Sequence, residues 1–136
     1  MAEVPNSTLR LLLTRRWPQA VEGSMAQVLE LRVHPYNKPM TQAELADGLA
    51  GADVLCPTVT DVVSAELLGA PSVRTRLLAN FGVGFNHIDM AAAKTAGIAV
   101  TNTRGVLSDA TAEIAMTMLL NPASTAGEGY RFVRSV

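Results

Sequence analysis

The chain has 136 residues, 49% of them hydrophobic and 17% charged, which excludes a disordered chain and leaves apolar mass for a real core. A net charge of -1 gives no electrostatic case for nucleic acid or an anionic membrane surface, and a single cysteine excludes an internal disulfide or a cysteine-built metal site. No apolar run approaches the roughly 20 residues of a membrane span, and Met1-Ala2-Glu3-Val4-Pro5 lacks a basic segment leading into an apolar core, so a cytoplasmic protein is expected.

Residues 9–14 form an apolar run with one arginine, the pattern of a strand buried on both faces. Arg15-Arg16-Trp17-Pro18 breaks it, and Pro18 suits the first turn of a helix reaching about residue 27. A second strand is expected at 29–33, followed by a proline loop, 34–39, in which His34 is expected to be solvated. Thr41 and Glu44 have capping-box spacing, and Leu45 and Leu49 continue an apolar helical stripe.

A third strand at 52–56 is closed by Pro57, with Cys56 expected as a small buried hydrophobe. Ser64 opens a short helix through Leu67 and Leu68. The fourth strand begins at Leu77 and runs to Phe81, a helix covers 90–95, and a fifth strand covers 98–100. Beyond Asn102, Ser108 or Asp109 can cap a helix whose Ala112, Ala115, Met116, Leu119 and Leu120 recur at helical spacing. Pro122 should kink or stop it, and the tail 127–136, mixed in charge, is expected to lack an apolar face and not to fold alone.

Strands alternating with helices at this spacing predict an α/β fold with right-handed crossovers. The natural closure is a doubly wound parallel five-stranded sheet in the order 2-1-3-4-5, plus the C-terminal helix. Ligands in such sheets bind beyond the carboxyl ends of the strands, where the loop Gly82-Val83-Gly84 falls. Gly82 and Gly84 permit φ > 0 or close approach of a ligand, and exposed N–H groups there can hold a carboxylate or phosphate. The bland reading is a tight turn. Arg15-Arg16-Trp17 invites an anion-site reading too, but a solvated turn with a packed Trp17 is the expectation.

The motif Asn80-Phe81-Gly82-Val83-Gly84-Phe85-Asn86-His87-Ile88-Asp89, with Gly97-Ile98-Ala99-Val100-Thr101-Asn102-Thr103, resembles the NAD(P)-dependent D-isomer-specific 2-hydroxyacid dehydrogenases. The glyoxylate/hydroxypyruvate reductase branch is the most similar. The run Gly105-Val106-Leu107-Ser108-Asp109-Ala110-Thr111-Ala112-Glu113 and the tail from Gly127 extend the likeness.

The resemblance implies a flavodoxin-like substrate domain over residues 1–102. It implies that 103–136 are the crossing helix and arm that would begin a Rossmann cofactor domain. It also implies that the N–H groups of Val83 and Gly84, turned by Gly82, hold a small 2-oxo or 2-hydroxy acid. Leu55 and the Cys56-Pro57-Thr58 turn would line that pocket, and Thr111 would face the nicotinamide of NAD or NADP. Family members dimerise through the cofactor domain, so self-association through residues 112–120 is expected. No Gly-x-Gly-x-x-Gly follows a strand here, and the family's catalytic arginine, glutamate and histidine find no match by Val136. The chain alone is therefore expected to be inactive and to bind no cofactor tightly. His87 is expected to be structural, as are Asn80 in the loop and Asp89 as a helix cap. Arg104, where the family usually has proline, and Pro122, inside a helix normally continuous, are departures.

Two other readings stand beside this one. The fold could serve as a non-catalytic module for small carboxylic acids or a protein partner. A flavodoxin or phosphoacceptor receiver fits badly, because the first strand ends in Thr14-Arg15-Arg16, with no phosphate-cradling loop and no aspartate.

Overall fold

The computed structural model describes residues 8–135, so the expectation about the first five residues lies outside them. In chain order the elements are β1 (Arg10–Leu13), α1 (Gln19–Ala26), β2 (Glu30–Val33), α2 (Gln42–Gly51), β3 (Val54–Cys56) and α3 (Ala65–Leu68). Then come β4 (Leu77–Ala79), α4 (Met90–Thr95), β5 (Ala99–Thr101), α5 (Ser108–Ala123) and α6 (Ala126–Arg134). All strand pairings are parallel and the order is β2-β1-β3-β4-β5, as the alternation predicts. Most expected strands run a residue or two longer than the observed ones: at the amino end for β2 and β3, at the carboxyl end for β4 and at both ends for β1.

Side chains alternate across a strand, so each sheet face has its own core. Leu12, Leu55 and Leu78 point to one face and pack with Leu45 and Leu49 of α2, Leu68 of α3 and Ala93 of α4. Leu11, Leu13 and Cys56 point to the other, where Met25 of α1 and Trp17 cover them. Burial on both faces explains the unbroken apolar reading of β1.

The helix starts follow local chemistry. Thr41 accepts from the Glu44 N–H while Glu44 accepts from the Thr41 N–H at 2.7 Å, completing the capping box of α2. Ser64 caps α3 and Asp89 caps α4. Gly97, at φ 70, turns α4 into β5 in a conformation that favours glycine.

The chain divides into two compact units, one through Thr103 and one from Arg104. Two expectations for the second unit need correction. First, neither Ser108 nor Asp109 caps α5: its N-cap position is Leu107, with no side-chain hydrogen bond, and Ser108 is already helical. The expected stop at Pro122 holds: the helix ends one residue later, at Ala123. A proline in the last turn removes only one backbone bond, to the carbonyl four residues back. Second, the tail is helical. It forms α6, with Phe132 and Val133 on one side and Arg131 and Arg134 on the other, where Arg134 donates to the Tyr130 hydroxyl at 2.9 Å, so it does have an apolar face. Thr125 makes the turn between the two helices at φ 50, a left-handed conformation that is strained for a β-branched residue.

Candidate functional site

The site grows from the end of β4. Asn80, buried, follows the last paired residue of that strand, and its own N–H donates to the Thr101 carbonyl at 3.0 Å. Its side-chain amide donates to two carbonyls of the next turn, Gly82 O at 3.2 Å and Gly84 O at 2.9 Å. Between them, Val83 O accepts from the Asn102 side-chain amide at 2.7 Å. The Thr103 N–H adds a second bond to Gly82 O at 3.1 Å.

This pinning decides where the N–H groups face. A trans peptide is planar, with its C=O and N–H on opposite sides. Fixing the carbonyls of Gly82, Val83 and Gly84 toward the sheet therefore turns the N–H groups of Val83, Gly84 and Phe85 away from it. Among the described residues, no hydrogen-bond partner meets any backbone N–H from Gly82 to His87. Buried peptide N–H groups are nearly always paired, so these exposed ones are open to water or to an anion. Val83 and Phe85 are exposed in the same loop, and Val59 and Phe81 are exposed beside it.

The glycines act differently from the expectation of positive φ. Neither Gly82 nor Gly84 has it; among the described glycines only Gly97 and Gly105 do. Gly82 is needed for space, since a Cβ there would lie 2.8 Å from Val59 Cγ1. At Gly84 a Cβ would meet nothing within 4 Å, so that residue's outer side is open.

Leu55, expected to line the pocket, does not. It is fully buried among the core leucines because its register on β3 points it under α2. Val59, four residues on, occupies the surface beside Gly82 instead. Cys56 is buried on the opposite face, and burial pushes its thiol up to about 11. Thr58 belongs to a buried network: its N–H and hydroxyl both donate to Asp61, at 2.8 and 2.9 Å.

His34 is not a solvated loop residue. It is 6% exposed, its Nδ1 lies 3.0 Å from the Tyr36 carbonyl and its Nε2 faces Glu44 at 3.4 Å. It lines a cleft of about 200 Å³ with Met40, Glu44 and Gly48, away from the Gly82 loop. His87 is structural, as expected. Its Nε2 lies 3.0 Å from Asn80 Oδ1, and desolvation holds its pKa below the ordinary value against the pull of Asp61. A neutral ring must then carry its proton on Nε2 to donate to that oxygen.

Trp17 packs as expected, its ring 4.6 Å from Phe81, but Arg15 is half-buried and donates to the Thr60 hydroxyl at 2.7 Å. Arg16 pairs with Glu22 at 3.1 Å. Each arginine thus has one protein partner, while Arg15 Nη1 and the Trp17 indole N–H are buried without a hydrogen-bond partner among the described residues.

Sequence reasoning missed Asn102 and Val59. Asn102 could have been found, because β5 was expected beside β4 and a side-chain amide at its end must face the neighbouring loop.

The model of the D-isomer specific 2-hydroxyacid dehydrogenase family, catalytic domain, matches residues 11–134. The chain belongs to that family. Glyoxylate reductase from Thermococcus litoralis is 35% identical over 127 residues, 93% of this chain and 38% of that protein. Glyoxylate reductase/hydroxypyruvate reductase from Mus musculus is 30% identical over 133 residues, 96% of this chain and 40% of that protein. A crystal structure of a D-isomer specific 2-hydroxyacid dehydrogenase, NAD-binding, from Polaromonas sp. JS6 66 superposes with a TM-score of 0.77 at 38% identity, covering 95% of this chain and 40% of that one. The chain thus spans about two-fifths of the length of these 2-hydroxyacid dehydrogenases.

A nicotinamide dinucleotide does not fit the residues described. Among its described residues the second unit has two helices and no strand, so these offer no strand-turn-helix for a pyrophosphate. Thr111 stands exposed in the first turns of α5 with its N–H spent on the Leu107 carbonyl. Among the described residues no group of acidic, histidine or cysteine side chains could hold a metal ion, and no helix is long and apolar enough to cross a membrane.

Proposed function

We propose that this chain supplies the carboxylate-anchoring part of an oxidoreductase that moves a hydride between NAD(P)H and a small 2-oxo or 2-hydroxy acid. The substrates are of the glyoxylate or hydroxypyruvate type, and the whole protein works in the cytoplasm. Residues 1–102 act as the substrate domain and 103–136 as the crossing helix and arm of the cofactor domain. The reading rests on one observation: the N–H groups of Val83 and Gly84 are free and turned outward because the carbonyls before them are pinned.

An acid's planar carboxylate can accept from both. Each such charge-assisted bond contributes about 1.5–3 kcal/mol, so two of them support binding in roughly the millimolar range. The site orients its ligand by holding one end, while the apolar rim of Val59, Phe81 and Val83 limits the size of the group attached to the carboxylate. Neither histidine is free for proton transfer at that place: His34 is buried elsewhere and His87 is committed to Asn80. The chain alone therefore binds the acid without turning it over.

The test is titration of glyoxylate into the isotopically labelled chain, to roughly 50 mM, well beyond the millimolar affinity expected of two hydrogen bonds. The Val83 and Gly84 amide signals should shift together. Silence at both, or turnover of NADH or NADPH with glyoxylate by this chain alone, would overturn the corresponding half of the proposal. A second consequence concerns association. Ile114, Met116, Leu119 and Leu120 are all exposed on α5, and a second copy of the chain is the proposed cover. Light scattering should detect species larger than a monomer.

A further inference from the structure

We propose that Asn80, with Asn102 beside it and His87 behind it, is a positioning residue that sets the outward N–H groups of the loop and with them its affinity for a carboxylate. The inference rests on the carboxylate reading above and goes further, by assigning the cause of the site's shape to three side chains that touch no ligand.

The first argument is geometric. Two of the three pinned carbonyls, Gly82 and Gly84, are held by the same Asn80 nitrogen, at 3.2 and 2.9 Å. The middle one, Val83, is held by Asn102 at 2.7 Å. One planar amide thus clamps the two ends of a three-peptide arc and a second clamps its centre. The loop has no glycine in the left-handed conformation to produce that curvature by backbone preference alone, so the side chains impose it.

The second argument concerns which way the Asn80 amide faces. An asparagine end is nearly symmetric in shape, and a flipped amide would present its oxygen to two carbonyl oxygens. The His87 Nε2 at 3.0 Å removes that choice. With its proton on Nε2 it donates to Asn80 Oδ1 and leaves the two amide hydrogens for Gly82 and Gly84. Asn80 is 3% exposed, so water cannot easily substitute for any of these bonds. Protonation of His87 keeps a hydrogen on Nε2, so the latch persists as pH falls.

The test uses the intact chain, sodium oxamate as a stable probe, and the amide signals of Val83, Gly84 and Phe85 as readout. Asn80→Asp preserves shape but cannot donate; oxamate should bind about tenfold or more weakly, the loss of roughly one charge-assisted hydrogen bond. Asn102→Ala, at the surface, should weaken binding in the same direction, with the largest shift at Gly84. His87→Gln, which can still donate to Asn80 Oδ1, should retain affinity within about threefold, whereas His87→Leu should not. Side-chain nitrogen shifts of His87 should report the Nε2–H tautomer in the wild type and lose it in Asn80→Ala.

If wild type binds oxamate and both Asn80→Asp and Asn102→Ala bind it equally well while folded, the positioning inference fails and the carboxylate reading survives. If the wild type itself shows no response at Val83 and Gly84, the reading beneath it fails. Should Asn80→Asp not fold, Asn102→Ala and the two His87 variants decide the matter.

Discussion

Val59 closes over Gly82 so tightly that a single added methyl at residue 82 would stand 2.8 Å from Val59 Cγ1. The loop after β4 and the turn after β3 therefore fit each other like two parts of one surface. Since Gly82 does not need a left-handed backbone, the only strain in Gly82→Ala is this collision. The substitution should destabilise by about 1 kcal/mol or less, since Val59 is exposed and can shift, and should weaken glyoxylate binding. Adding Val59→Ala should restore both. Thermal unfolding and amide titration of the single and double variants check this; a double variant no better than Gly82→Ala would show that something other than Val59 sets the constraint.

Gly84 offers the contrast. Its outer side is empty within 4 Å, so Gly84→Ala should fold with unchanged stability while placing a methyl group where the carboxylate would approach. Weaker binding of glyoxylate in a normally stable protein is the expected outcome. Unchanged binding would mean that the acid does not sit against residue 84.

Asp61 holds the other wall. Fully buried, it accepts from the Thr14 hydroxyl at 2.6 Å, from the N–H and hydroxyl of Thr58, and more weakly from the Met40 N–H at 3.4 Å. Three loops at the carboxyl end of the sheet meet on this one carboxylate. Asp61→Ala leaves the Thr58 and Met40 N–H groups unpaired, while the Thr14 and Thr58 hydroxyls keep Cys56 O and the Thr60 hydroxyl within reach, and should cost about 1–3 kcal/mol. Because the Thr58–Asp61 turn carries Val59, the Val83 and Gly84 amide signals should move as well. Denaturant unfolding and an amide spectrum measure both; a variant as stable as the parent would contradict the network.

The sheet order was legible because hydrophobic period and punctuation agree along residues 9–100: apolar strands, a capping box at Thr41 and turn residues after each strand. The loop's role was legible in part. Glycines at 82 and 84 pointed to exposed amides, but the cause was misread as backbone freedom, when side-chain amides from Asn80 and Asn102 impose the turn. Such pinning depends on which loop ends are adjacent, a tertiary fact that no local pattern carries. Leu55 failed for a related reason, since a strand residue's face depends on register and a one-residue difference moves it from cleft to core. His34 does lie in the loop the prolines predict, but its ring is buried there facing Glu44, ten residues later on α2, so it is not solvated. The tail was misread because Phe132 and Val133 separate from Arg131 and Arg134 only once the helix is assumed.

Thr125 carries strain that a glycine would relieve. Its φ of 50 joins α5 to α6, and a β-branched side chain is disfavoured there by about 1–2 kcal/mol. Thr125→Gly should make the α5–α6 turn more persistent, read as slower amide hydrogen exchange in residues 126–134. Faster exchange would indicate that the hydroxyl or the methyl contributes more than the backbone strain takes away.

Glu44 links the stability of the first unit to pH. The N–H and hydroxyl of Thr41 and the ring of His34 hold its carboxyl down to about 2, from an ordinary 4.5, with the Thr41 N–H the largest cause. A depressed carboxyl stabilises the fold when ionised, so the contribution is complete above about 4.5 and fades as pH falls toward about 2. Glu44→Gln cannot ionise and keeps only the neutral part of the cap. The wild type should therefore be the more stable protein at neutral pH, and the difference should shrink steadily through that acid window. Urea midpoints of the two proteins across the window test this, since other carboxylates titrate equally in both and cancel. A difference that stays constant as the pH falls would mean that Glu44 is not charged when it caps α2, and the capping box would then have to be held by neutral hydrogen bonds alone.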